Sequence, residues 1–127
     1  MDHSETELER LLELARSGDQ DARGRLLDHF RPQLRQWARR RIEGKIRARV
    51  DESDIAQQSC LSALRDFDRF AGSELPEFIA WLRRIHEQNV RDVVRDHAVY
   101  QKRAVSREAD DQEAVEAARA EMASPSR

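Results

Sequence analysis

Apolar side chains recur along this chain at helical intervals, and no stretch shows the alternation of a strand. Leu8, Leu11, Leu12 and Ala15 fall on one face of a first helix. Ser17-Gly18-Asp19 ends it: Gly18 supplies the stop and Asp19 suits the cap of the next start. Leu26, Leu27, Phe30, Leu34, Trp37, Ala38 and Ile42 make the stripe of a second, longer helix. Pro32 lies inside that stripe and is expected to bend or interrupt the helix near its start. Gly44 is a weak point before Ile46 and Val50. Asp51-Glu52-Ser53-Asp54 reads as a third helix start, a capping acid followed by acids beside the positive end of the macrodipole. Ile55, Cys60, Leu61, Leu64 and Phe67 are predicted to face inward from it. Ala71-Gly72-Ser73 breaks the pattern, and Pro76 suits the first turn of a fourth helix. Along that helix Phe78, Trp81, Leu82, Ile85, Asn89 and Val93 recur. Residues 97–107 extend it with a poor apolar face. From Glu108 onward Ala, Glu, Asp and Ser dominate, which reads as linker or as a weak, fraying helix.

The expected fold is therefore all-α. A small bundle of about four helices occupies residues 1–107, and a flexible acidic tail occupies residues 108–127. A length of 127 residues fits one such domain. A charged fraction of 38% with only 6% aromatics also favours helices over a sheet sandwich.

The net charge of −2 conceals segregation into blocks of alternating sign. Residues 31–49 carry eight bases against Glu43 alone, whereas residues 51–77 carry seven acids and two bases. Residues 83–107 return to seven bases and three acids. Such a chain offers different faces to different partners. The lone Cys60 excludes an internal disulfide and a cysteine metal cluster. No apolar run approaches the roughly 20 residues of a membrane span, so no membrane insertion is expected. The acidic, polar opening is no secretion signal, and a cytoplasmic location is expected.

Catalytic signatures are missing. His86-Glu87 begins like a zinc-protease helix, but Val90 stands where the second histidine belongs. His3, His29, His86 and His97 lack metal-ligand spacing, and there is neither a phosphate-cradling glycine loop nor a nucleophile elbow. Neither enzyme activity nor a metal or other cofactor is expected.

Three motifs in order carry a resemblance. They are Asp51, Asp54, Ile55 and Gln57; then Phe70 and Gly72; then Phe78, Trp81, Leu82, Ile85, Asp92 and Arg95. Together they resemble region 2 of the sigma-70 family of bacterial initiation factors, in particular its extracytoplasmic-function (ECF) group, over residues 7–108. The resemblance implies a factor that directs core RNA polymerase to promoters and opens the −10 element by capturing the unpaired non-template strand. It also implies a regulator such as an anti-sigma factor. ECF members normally carry a second, helix-turn-helix domain, which would begin where these 127 residues stop. Either the chain is a fragment or the protein works with one domain. A sigma-like decoy that binds polymerase or a regulator without capturing DNA is the alternative.

Roles follow residue by residue from the resemblance. Asp51, Asp54, Ile55, Gln57 and Gln58 would dock on the basic clamp of the polymerase's largest subunit, although Asp51 and Asp54 equally serve as a helix start. Phe70, Gly72, Ser73 and Glu74 would take up a flipped base. Trp81 is either core or a stacking edge. Arg84, Arg91 and Arg95 suit phosphates, and Gln88 suits a base edge. Asn89 suits a base edge or is a satisfied core amide. Arg39, Arg40, Arg41 and Lys45 are candidates for phosphate contact or simply line a solvated face.

Overall fold

The computed structural model describes residues 5–123. Their regular structure is helical throughout. In order come α1 (Glu5–Arg16), α2 (Gln20–Arg41), α3 (Lys45–Arg49), α4 (Glu52–Arg65), a 3-10 turn (Phe67–Arg69) and α5 (Leu75–Ala123). The all-α class is the expected one. The additional helix is α3, five residues that form between Gly44 and Val50. The chain divides by its contacts into two compact units, Met1–Val93 and Val94–Arg127.

In the first unit, the turn from α1 to α2 is built as its sequence dictates. Gly18 takes φ +103°, a left-handed value that side chains disfavour. Asp19 then caps α2 by accepting from the Ala22 N–H at 3.1 Å. The expected interruption at Pro32 does not occur, since α2 runs unbroken for 22 residues. Pro32 has no N–H for the carbonyl four residues earlier. Both Pro32 and Asp28 are exposed, so water can serve that carbonyl in place of the missing bond.

Helix α2 packs on both α1 and α4. The inward face of α4 is made of Ile55, Ala56, Ser59, Cys60 and Ala63. Most of these side chains are small, which lets the two backbones approach. Leu61 and Leu64, expected inside, instead point outward at 59% and 37% exposure. The helical arc that carries Ala56, Ser59 and Ala63 inward leaves no room for them there.

On α5, Leu75, Phe78, Leu82, His86 and Val90 are buried at three- and four-residue spacing. Phe78 is fully buried and meets four rings, with centroids at 5.9 Å from Phe30, 5.8 Å from Phe67, 5.6 Å from Phe70 and 5.8 Å from Trp81. These contacts join α2, the 3-10 turn, the following loop and α5 in one cluster.

A polar knot sits deeper between α4 and α5. Ser59 Oγ lies 2.7 Å from His86 Nδ1 and donates to the Ile55 carbonyl at 3.0 Å. The Asn89 amide nitrogen donates to Ser59 Oγ at 3.2 Å and to Ser62 Oγ at 3.4 Å. His86 Nε2 is buried without a hydrogen bond. Burial, which disfavours the charged ring, holds His86 below its ordinary value of 6.5 despite the opposing pulls of Glu87 and of the Leu34 backbone. The unfolded chain thus takes up a proton that the folded chain refuses. His86 leaves stability intact above pH 6.5 and lowers it as pH falls through 6.5 toward the depressed native value. Urea midpoints at pH 7.5 and 5.5 should fall more for wild type than for His86→Leu. Equal losses would remove His86 as the source.

Among its described residues, the second unit is the part of α5 from Val94 to Ala123. His97 and Tyr100 stack their rings there with centroids 6.4 Å apart. Residues 105–120 are exposed throughout. Abundant Ala, Glu and Arg keep this stretch helical through intrinsic propensity, not through an apolar face.

Candidate docking face and nucleic-acid interface

The outer arc of α4 follows directly from its inner one. With Ile55, Ala56, Ser59, Cys60 and Ala63 turned in, Asp54, Gln57, Gln58, Leu61, Leu64 and Arg65 are left exposed. Asp51 precedes the helix and caps it by accepting from the Ser53 N–H at 2.9 Å. Its carboxylate is nevertheless exposed, so capping and presentation of charge coexist. Ile55 requires correction as a docking residue. It is only 3% exposed and belongs to the core, one helical step away from the face that Asp54 occupies. Leu61 replaces it as the large apolar side chain on that face, and its position relative to Asp54 and Gln57, at three- and four-residue steps, was the available signal.

The loop after the 3-10 turn is braced from three sides. Phe70 is half-buried, its ring set among Phe67, Phe78 and Trp81 at 6.3, 5.6 and 5.4 Å. Gly72 sits against that ring: a Cβ there would lie 2.8 Å from Phe70 Cζ and 2.9 Å from Glu77 Cβ. Glu77 reaches back from the first turn of α5, and its Oε1 accepts the N–H groups of Ser73 at 3.2 Å and Glu74 at 3.1 Å. The side chains of Ser73 and Glu74 remain exposed.

Below the loop lies Arg23, a buried cation that sequence reasoning missed. Its Nε donates to the Ala15 carbonyl at 2.9 Å, its terminal nitrogen pairs with Asp68 at 2.8 Å, and its guanidinium lies 4.6 Å from the centroid of Phe67. It ties the end of α1 to the 3-10 turn that leads into the loop. A cleft of about 160 Å³ opens here, lined by Arg16, Arg23, Phe67, Asp68, Phe70, Ala71 and Gly72.

Trp81 is half-buried, with rings of Phe67, Phe70 and Phe78 around it. Arg84, Gln88 and Arg91 follow on the exposed side of α5 at three- and four-residue steps. Arg84 and Arg91 make no ion pair among the described residues, while the Gln88 amide donates to Asp92 at 3.1 Å. Asn89 points the other way, its amide nitrogen held by Ser59 and Ser62, so its donor joins α4 to α5 and is not offered to a base. Arg95 lies in the second unit with Asp96 at 3.9 Å.

The basic block is less uniform than its composition. Arg41 pairs with Glu87 of α5. Arg47 donates to the carbonyls of Arg39 at 2.8 Å and Ile42 at 3.2 Å, closing the C-terminal end of α2. Arg39 and Arg40 are exposed and without ion pairs among the described residues. The side chain of Lys45 lies outside the described residues.

Cys60 is buried, and its burial pushes the thiol up from its usual value. No His, Cys, Asp and Glu cluster among the described residues is suited to a metal, and no described helix is long and apolar enough to cross a membrane.

No curated protein and no solved structure matches the chain. Residues 26–99, more than half of its length, match the family described as sigma-70 region 2. That family consists of non-enzymatic transcription factors, and its region 2 implies binding of core RNA polymerase and promoter DNA. The matched segment contains α4, the braced loop and exposed Arg84 and Arg91 of α5, and on this evidence the chain belongs to the sigma-70 region 2 family.

Proposed function

We propose that the chain is an ECF-type sigma factor, or the region 2 domain of one, acting in the cytoplasm. It docks on the clamp of the polymerase's largest subunit through Asp51, Asp54, Gln57, Gln58 and Leu61. It captures the unpaired non-template strand of the −10 element at residues 70–74, with Trp81 flanking and with Arg84, Arg91, Arg39 and Arg40 as phosphate contacts. Gln88 reads a base edge once its bond to Asp92 is exchanged. Asn89 has no part in the reading, because its amide donor already joins α4 to α5. An anti-sigma protein or similar regulator covers one of these faces when the factor is idle.

The observation that carries this reading is the brace on the loop. Backbone N–H groups held by Glu77 and a glycine pressed on Phe70 give a preformed shape, so little ordering is needed when a base arrives. Strand opening then needs no bond chemistry: a base that leaves its stack at a cost of a few kcal/mol is held before it can return.

The test combines the chain with core bacterial RNA polymerase and selects single strands from a randomised DNA pool. Wild type should enrich a short consensus. Gly72→Ala must displace the Phe70 ring or Glu77, and should weaken the selected strand roughly tenfold, the scale of one lost base contact. Polymerase binding should persist. Polymerase binding with no enrichment would instead identify a decoy that lacks strand capture.

A further inference from the structure

The cleft beneath the loop has two arginines, and only one of them is available. Arg23 is committed through both its Nε and a terminal nitrogen, to Ala15 and Asp68. Arg16, in the last turn of α1, is exposed and makes no hydrogen bond or ion pair among the described residues. The single carboxylate on the cleft wall, Asp68, is the one that Arg23 holds. On its other side Arg16 borders a wider groove of about 530 Å³, whose lining includes Glu5, Glu9, Glu13 and Glu74. Arg16 therefore stands where a basic cleft meets an acidic groove, next to Ala71 and Gly72 on one side and Ser73 and Glu74 on the other.

A nucleic-acid backbone approaching this loop meets two different surfaces. The carboxylates of the groove repel phosphate, while the guanidinium of Arg16 attracts it. We propose that Arg16 binds the phosphate next to the nucleotide captured by residues 70–74, and so fixes the side of the loop along which the strand leaves. The inference rests on the strand-capture reading above. It adds a positioning residue from α1, a helix that precedes the matched family segment at residues 26–99. The alternative role for Arg16, a base at the negative end of α1, involves no DNA.

The experiment uses the complex of the full chain with core polymerase and the fluorescently labelled single strand selected above. Affinity is titrated at several salt concentrations for wild type, Arg16→Gln and Arg16→Lys. Polymerase affinity is measured separately at each salt. Arg16→Gln should weaken strand binding about threefold to tenfold, whatever the base at each position, and flatten the log–log salt slope by about 0.7, the share of one phosphate on a single strand. Arg16→Lys should keep most of the slope. Wild-type affinity and slope in Arg16→Gln would overturn the proposal while leaving strand capture standing. Loss confined to one base identity would overturn it in favour of base reading. Failure of wild type to select any strand would overturn strand capture itself, and this proposal with it.

Discussion

Asp51→Ser combined with Asp54→Lys is expected to weaken binding to core RNA polymerase on the order of 100-fold, the effect of setting like charge against a basic partner surface. The two substitutions are chosen to separate charge from folding. Asp51 caps α4 through the Ser53 N–H, so lysine there would also fray the helix. Serine keeps a capping oxygen and removes only the charge. Asp54 is exposed and free to be reversed. Thermal unfolding should therefore shift by less than about 4 °C. Unchanged affinity in a pull-down or fluorescence titration would remove α4 as the docking face. A collapse of thermal stability would show instead that the acids are structural.

Phe78→Ala should have the largest effect on stability. Phe78 is fully buried and is the ring shared by Phe30, Phe67, Phe70 and Trp81. Truncating a buried phenylalanine costs about 3–5 kcal/mol, against a total of about 5–15 kcal/mol for a domain. The melting temperature should drop by roughly 15 °C or more. The loop would loosen with it, because Phe70, on which Gly72 rests, loses one of the three rings it packs on. A drop below about 5 °C would mean that the cluster is not the centre of the core. Leu61→Ser is the natural control. It removes a leucine of similar bulk from α4 and should leave unfolding almost unchanged, since Leu61 is 59% exposed.

That pair of leucines and the polar knot show where sequence reading succeeds and where it stops. The turn at Gly18 and Asp19, the cap at Asp51 and the aromatic stripe of α5 were legible because each rests on local chemistry: a left-handed backbone, a short acceptor side chain, a helical repeat. The inward face of α4 was not legible. Its core residues are Ala56, Ser59 and Ala63, while its largest apolar side chains, Leu61 and Leu64, turn outward. Ranking positions by hydrophobicity selects the wrong arc when close helix approach demands small residues. Ile55 was placed inward correctly by its pattern, and only the resemblance set it on the docking face; one turn of helix carries exposed Asp54 and buried Ile55 side by side. His86 lies four residues beyond Leu82 and eight beyond Phe78, an internal spacing that the predicted stripe left out. A polar side chain at a core position hides the repeat until its partners, Ser59 and Asn89, come together through tertiary packing. Arg23 was hidden in the same way, since the groups that neutralise and bind it come from α1 and from a turn 45 residues later. Pro32 misled in the opposite direction: a strong local rule gave way at an exposed position, where water can serve the Asp28 carbonyl.

The proposed division of labour between α4 and the loop is tested by a single crosslinking experiment. A photoreactive phenylalanine analogue is placed at Gln58 or at Ala71, both exposed, and each variant is assembled with core polymerase and a DNA bubble whose non-template strand is labelled. The account predicts that the probe at Gln58 attaches to the largest polymerase subunit and the probe at Ala71 attaches to the non-template strand within the same complexes. Attachment of the Ala71 probe to protein alone, or of the Gln58 probe to DNA, would contradict it.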